Sequence, residues 1–193
     1  MPAFAVLFLL SYVAASVNFA IILLRAIGKG DPRDRCSGNA GTTNVYRQAG
    51  LLWAALVLLL DLGRGALVAA LAVHLLPAGF VPWIGLGLVA GNRFPCFHGF
   101  RGGKGVAGFM GFTLYIAPLA TALAALLWVA VYGIFRIPFV ASFFMVLALA
   151  IGIVNVYNQH PVAVAGAVAT ALLIFYNHKQ NVVNLIAERE RRP

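Results

Sequence analysis

Seven apolar stretches divided by short polar ones constrain this chain more than any other feature. A helix needs about 20 apolar residues to cross the hydrocarbon core of a bilayer. Residues 4–24, 51–76, 119–135, 139–157 and 162–176 read as crossing helices, and 81–90 with its flanks as a shorter crossing that ends near Phe97. Residues 106–117 are too few to cross upright, and Pro118 follows them. Proline removes a backbone donor and crowds the preceding turn. A short fourth helix and a longer fifth are therefore expected, with one kinked helix over 106–135 as the alternative. Only 10% of residues are charged and 62% are hydrophobic, against roughly a quarter charged in a soluble domain. Too few polar side chains exist to coat a globule in water. The expected architecture is all-α: one polytopic membrane domain over residues 1–193 with about seven transmembrane helices.

The start of the chain has no basic region before its apolar run, and that run is too long for a signal peptide, so it reads as a retained helix. The formal net charge of +9 does not point to nucleic acid, because the basic residues sit in short loops between apolar segments. With seven crossings, the segments 27–49, 92–105, the Arg136 turn and the tail from Asn177 share one face. Every Lys and Arg except Arg64 lies in or beside them. The turns at Pro77 to Pro82, at Pro118 and at 158–161 carry none. Basic loops stay on the cytoplasmic side, which places the N-terminus outside and the C-terminus in the cytoplasm. Six crossings would put the basic tail on the wrong face. Cys36 and Cys96 have no metal-like spacing and fall in the cytoplasmic loops, so neither a disulfide nor a zinc site is expected.

Three polar stretches stand out on the cytoplasmic face. The first runs from Cys36 to Arg47 and gathers Ser37, Asn39, Thr43 and Asn44. Hydroxyls and amides at that density suit sugar or glycerol hydroxyls, and Arg47 suits a phosphate. The alternative is an ordinary turn that caps the next helix through Thr43 or Asn44. The second, Phe94 to Ala107, packs Arg101, Lys104 and the glycines Gly99, Gly102, Gly103 and Gly105 into seven residues. Glycine N–H groups can turn toward a phosphate because no Cβ blocks the approach; the alternative is a flexible basic loop on lipid headgroups. The third is the tail, where His178 and Asn181 share a face if the segment is helical. Within the second apolar run, Asp61 and Arg64 are spaced to form an ion pair, and Gly63 and Gly65 to admit a neighbouring helix.

Several chemistries lack their motifs. Lys104 is followed by Gly105 rather than Ser or Thr, so the glycine loop is no P-loop. No histidine is followed by an aspartate five residues on, and no His-Glu-x-x-His or Ser-His-Asp order occurs. A catalyst here works by positioning and electrostatics. Ser37-Gly-Asn-Ala-Gly-Thr-Thr-Asn44 with Arg47, Asp61-Leu-Gly-Arg-Gly65, Phe100-Arg-Gly-Gly-Lys-Gly-Val-Ala107, and His178-x-x-Asn181 with Glu190 occur in a distinctive order. As a set, over essentially the whole chain, they resemble the bacterial acyl-phosphate:glycerol-3-phosphate acyltransferases, small integral membrane enzymes.

The resemblance implies transfer of a fatty acyl group from acyl phosphate to the sn-1 hydroxyl of glycerol 3-phosphate, giving lysophosphatidic acid and phosphate in the first step of phospholipid synthesis. It implies no cofactor, a site on the cytoplasmic side of the bacterial inner membrane, membrane lipid as surroundings, and functional coupling to the enzyme that makes acyl phosphate. By position, Ser37, Arg47, Lys104, His178 and Asn181 take catalytic roles, with Lys104 on a substrate phosphate. Asn39, Thr43, Asn44, Arg101, Gly102, Gly103 and Gly105 belong to substrate binding, and Glu190 to bracing the basic tail. The base implied is a substrate phosphate, with His178 as the fallback. The chain departs from the family pattern at Asn92, where histidine is usual, at Thr42 (alanine), at Arg64 and Arg101 (lysine) and at Asn177 (arginine). The competing readings are a transporter or channel for a phosphorylated small molecule and a non-catalytic paralogue.

Overall fold

The computed structural model describes the backbone of residues 2–190 and the side chains as far as Ala187, and its described residues contain helices and turns but no strand. Helices α1 (Pro2–Ser16), α2 (Phe19–Ala26), α3 (Thr42–Ala49), α4 (Leu51–Leu75), α5 (Val81–Arg93), α6 (Val106–Ile116), α7 (Pro118–Phe135), α8 (Pro138–Val156), α9 (Pro161–Asn177) and α10 (Lys179–Glu190) follow in order. Pro118, Pro138 and Pro161 each stand in the first turn of their helices, where the missing N–H costs nothing. The 106–135 region is thus two helices, α6 and α7, as its sequence favours.

Length separates these elements. Four segments are long and apolar enough to cross a membrane: α1 with α2, α4, α7 and α8; α9 with α10 makes a fifth if that pair, bent by 41°, is counted as one. At a rise of 1.5 Å per residue, α5 and α6 span only about 20 Å and about 16 Å, short of a hydrocarbon core of about 30 Å. They sit inside the bundle. Phe109 and Phe112 of α6, Ile84 and Leu88 of α5, Leu149 and Ile153 of α8 and Ile174 of α9 are fully buried together. Leu51, Leu52, Leu59, Leu67, Leu119, Leu126 and Ile134 face outward on α4 and α7, as lipid requires.

The first crossing is not one helix. α1 stops at Ser16, and Asn18 starts α2 by accepting the Ile21 N–H on its side-chain oxygen at 3.1 Å. A break inside an apolar segment strands carbonyls that no water can satisfy. Arg64 reaches across from α4 and donates to the carbonyls of Val17 at 2.5 Å and Ala14 at 3.4 Å. Asp61, one turn away, accepts from Arg64 at 2.5 Å. The pair repairs the break and keeps the cation neutralised.

Helices approach at glycine. A Cβ on Gly65 would lie 2.2 Å from the Gly108 carbonyl, and one on Gly111 2.1 Å from the Leu62 carbonyl, so α4 and α6 touch backbone to backbone. Gly87 and Gly91 let α5 lie against α1 in the same way. Of the two glycines singled out on α4, Gly65 makes such a contact and Gly63 meets nothing within 4 Å.

That contrast gives a paired test. Gly111→Val should separate α4 from α6 and destabilise the protein by about 1–3 kcal/mol or more. Gly63→Ala should be neutral or slightly stabilising, by up to about 1 kcal/mol. Thermal melting in detergent distinguishes them: the first variant loses Tm or fails to accumulate, while the second does neither.

Candidate functional site

The glycine loop turns back on the end of α5. Gly102 N–H donates to the Arg93 carbonyl at 3.1 Å and Gly103 N–H to the Asn92 carbonyl at 2.9 Å. Gly105 N–H donates to Asn92 Oδ1 at 3.1 Å. The first two of these bonds satisfy carbonyls that every helix leaves open at its C-terminus. The expectation that these glycine N–H groups turn toward a ligand therefore differs from the structure: all three are engaged within the chain. Glycine is required here for space. A Cβ on Gly102 would sit 2.0 Å from the Asn92 carbonyl, and one on Gly103 2.5 Å from Asn92 Oδ1 and 2.6 Å from the Ala40 carbonyl. Gly105 also has φ of +84°, a conformation side chains disfavour.

The first loop locks onto this platform. Asn44 is buried; its Nδ2 donates to the carbonyls of Pro32 at 2.7 Å and Asn39 at 2.9 Å, and its Oδ1 accepts from Ser37 N–H at 3.2 Å. Its hydrogen-bonding capacity thus goes into folding the loop, and neither Asn44 nor Thr43 is the cap residue of α3, which is Gly41. Arg33 donates from Nη1 to the carbonyls of His98 at 2.6 Å and Arg101 at 2.7 Å, sewing the first loop to the glycine loop. Asp31 holds Arg33 in place at 2.7 Å, and that contact keeps the Asp31 carboxyl well below the usual carboxylate range. Asn18 Nδ2 adds a bond to the Ala40 carbonyl at 3.3 Å.

The three polar stretches meet in one cleft of about 730 Å³. Ser37, Asn39, Thr43, Asn44 and Arg47 line it from the first loop and α3, and Lys104 and Gly105 from the glycine loop. His178 and Asn181 line it from the junction of α9 and α10. Arg101, Gly102 and Gly103 do not; Gly102 and Gly103 build the platform beneath, and the Arg101 side chain is exposed. The Glu190 side chain lies outside the described residues. The other flank is apolar: Leu58, Met110, Ala125, Trp128, Val129 and Met145 carry the cleft between α4, α6, α7 and α8. Its mouth also includes Arg136 from the turn before α8.

Lys104 is the centre of the polar end. Its Nζ donates to Asn181 Oδ1, and its carbonyl accepts from Asn177 Nδ2 at 3.2 Å. Burial, with the positive charges of Arg93 and Arg47, lowers its pKa to about 8. Neither Lys104 nor Arg47 has an ion-pair partner among the described residues. His178 is buried with Nδ1 2.8 Å from the Ile174 carbonyl. A carbonyl only accepts, so Nδ1 bears the hydrogen and Nε2 of the neutral ring is an acceptor.

The sequence pattern gave no role to Arg33, Asn18 or Arg93, and marked Asn92 only as a departure. A lone basic or amide residue in a polar loop carries no local signal for a carbonyl on a different loop.

The sequence matches the family model described as Glycerol-3-phosphate acyltransferase over residues 5–188. The chain belongs to the glycerol-3-phosphate acyltransferase family. The Glycerol-3-phosphate acyltransferase of Neisseria meningitidis serogroup B is 36% identical over 197 residues, covering 99% of this chain and 96% of that one. That of Pseudomonas fluorescens is 38% identical over 189 residues, with 97% and 98% covered. The crystal structure of PlsY (YgiH), an integral membrane glycerol 3-phosphate acyltransferase, superposes in its glycerol 3-phosphate form with a TM-score of 0.89 at 29% identity, covering 98% of this chain and 94% of that one. Its lysophosphatidic acid form gives 0.85 at 28% identity. The fold is thus that of an integral membrane glycerol-3-phosphate acyltransferase.

The Lys104 environment predicts a pH dependence. Below about 8 the amine is a cation that attracts anions, and above it that charge is lost. Affinity for a phosphate dianion should therefore weaken as pH rises from about 7.5 through 9.5. Calorimetric titration with glycerol 3-phosphate reads this directly, and the weakening should vanish in Lys104→Ala.

Proposed function

We propose that this chain moves a fatty acyl group from acyl phosphate to the sn-1 hydroxyl of glycerol 3-phosphate, releasing lysophosphatidic acid and phosphate. The observation that carries the reading is the two-ended cleft. One end gathers Lys104 and Arg47 without carboxylate partners among the described residues; the other is an apolar flank between α4, α6, α7 and α8. A cationic end suits phosphates, and an apolar end opening among lipid-facing helices suits a fatty chain. The residues cast in catalytic roles are Ser37, Arg47, Lys104, His178 and Asn181.

An acyl phosphate is a mixed anhydride with a good leaving group. The glycerol oxygen attacks the acyl carbon, the bond from that carbon to the phosphate oxygen breaks, and the hydroxyl proton leaves on the departing phosphate. The chain's task is to hold two anions together and neutralise them. Lys104 and Arg47 supply charge, and Asn181 fixes the Lys104 amine. Ser37, with Asn39 and Thr43, binds glycerol hydroxyls, and His178 Nε2 accepts from a hydroxyl. Asn44 and Arg101 serve binding through the loops they fold.

We further read the chain as crossing the bacterial inner membrane seven times, with α5 and α6 as short crossings within the bundle. The N-terminus then lies outside, and the site and C-terminus face the cytoplasm, where acyl phosphate is produced. The basic residues support that orientation: Arg33, Arg47, Arg101, Lys104, Arg136 and Lys179 all belong to loops or helix ends around one end of the bundle.

The test uses purified protein in lipidic mesophase with palmitoyl phosphate and glycerol 3-phosphate, following phosphate and lysophosphatidic acid together. Equal release of both, with palmitoyl-CoA inert, is expected. Phosphate without lysolipid, or turnover from the thioester, overturns the assignment. Lys104→Ala and Arg47→Ala should each lower kcat/KM by roughly 10²–10³ without changing Tm, whereas full activity in Lys104→Ala would remove the central loop from the mechanism.

A further inference from the structure

Asn92 is a cleft residue whose side chain is half used. It ends α5, is 6% exposed, and lines the cleft beside Lys104 and Gly105. Its orientation is fixed by chemistry. The Gly105 N–H lies 3.1 Å away and can only donate, so the amide must present Oδ1 to it. That leaves Nδ2, the other terminal atom of the planar amide, without a hydrogen bond among the described residues. The residue lines the cleft, and Nδ2 is not one of the buried polar atoms left without a partner, so this donor is open to a molecule in the cleft.

We propose that Asn92 is a further substrate-contacting residue: Oδ1 holds the Gly105 N–H, and the free Nδ2 donates a hydrogen bond to an anionic oxygen of the substrates gathered at Lys104. This rests on the acyl-transfer reading above and adds a neutral donor from the end of α5. The glycine N–H groups that would serve such an oxygen, those of Gly102, Gly103 and Gly105, are spent on α5. The Asn181 carboxamide oxygen is spent on Lys104. Asn92 Nδ2 is therefore a neutral donor beside the Lys104 cation. The anionic oxygen is either a phosphate oxygen of the ground state or the oxyanion that forms on the acyl carbon as the glycerol oxygen adds. Both take the same donor.

The position also accounts for the histidine that the resemblance expects there. An imidazole can accept the Gly105 N–H on one nitrogen and donate from the other. Asparagine offers the same pair, an acceptor toward the loop and a donor toward the cleft, so the substitution keeps both.

Three variants separate this from a purely structural cap. Asn92→Asp keeps an oxygen for Gly105 but replaces the donor by an acceptor. Asn92→Leu removes both. Asn92→His restores both. All are assayed with palmitoyl phosphate and glycerol 3-phosphate against wild-type protein whose turnover is already measured, so an inactive wild type counts against the reaction and not against Asn92. Asn92→Asp should melt within a few degrees of wild type and lose about tenfold to a hundredfold in kcat/KM. Asn92→His should stay within about threefold of wild type. If the partner is a phosphate oxygen, the loss in Asn92→Asp falls on KM for one substrate; if it is the developing oxyanion, it falls on kcat. Wild-type kcat and KM in a folded Asn92→Asp overturn the proposal. So does a result in which only Asn92→Leu loses activity, in step with its Tm, because a cap alone predicts that pattern.

Discussion

The return of the glycine loop onto the last turn of α5 is the contact on which the site is built. A helix end in a membrane protein has carbonyls to satisfy, and here the N–H groups of Gly102 and Gly103 do so, while that of Gly105 binds the Asn92 side chain. Only glycine at 102 and 103 lets the two backbones come that close. Once the loop is pinned, the rest is set in relation to it. The Ala40 carbonyl rests against Gly103, the Arg33 side chain binds the carbonyls of His98 and Arg101, and Asn177 binds the carbonyl of Lys104. Each polar stretch thus touches the platform through backbone atoms, which leaves Lys104 and Arg47 directed into the cleft.

A second constraint acts deeper. The break between α1 and α2 frees carbonyls within an apolar segment, and Arg64 with Asp61 is what makes it tolerable. Burying an ion pair is costly for the charges alone; here the guanidinium also serves backbone groups that would otherwise be orphaned. Arg64 further stacks over Phe19 at the start of α2, 4.8 Å from the ring centre. The break places Asn18 where its amide reaches Ala40, so the repair in α4 connects through α2 to the loop that carries Ser37.

The helices were legible because hydropathy and proline write them directly. Pro118, Pro138 and Pro161 mark starts that the structure keeps, and the division of 106–135 into α6 and α7 follows from the first of them. Asp61 and Arg64 were readable as a pair from their spacing. The break at Val17 was not, because Asn18 signals a cap only when a helix is known to start there. The helix α3 was hidden inside a polar loop, since over its eight residues only Asn44 and Val45 are buried. For the site, composition marked the right three stretches but not the direction of their polar atoms. Asn44 and the glycine N–H groups turn inward to the protein, while Lys104, Arg47 and Ser37 reach the cleft. Direction is a property of the tertiary contact, and no local pattern encodes it.

The distribution of charge bears on where the proton goes. Among the described residues lining the cleft, the only carboxylate is Asp61, and it is tied to Arg64. Asp31 lies outside the cleft and is held by Arg25 and Arg33. His178 can accept a proton on Nε2, but burial and, after it, the positive charge of the neighbouring Lys104 disfavour the protonated ring. A base drawn from the chain would therefore be either paired or opposed by like charge. A phosphate bound at Lys104 has neither handicap: it brings negative charge to a place prepared for it, and its oxygens gain basicity as the bond to the acyl carbon breaks. A site whose Lys104, Arg47 and Arg136 have no ion-pair partner among the described residues, and whose one lining carboxylate is tied to Arg64, is thus suited to let the substrate remove its own proton, the chemistry that the proposed acyl phosphate donor would make available.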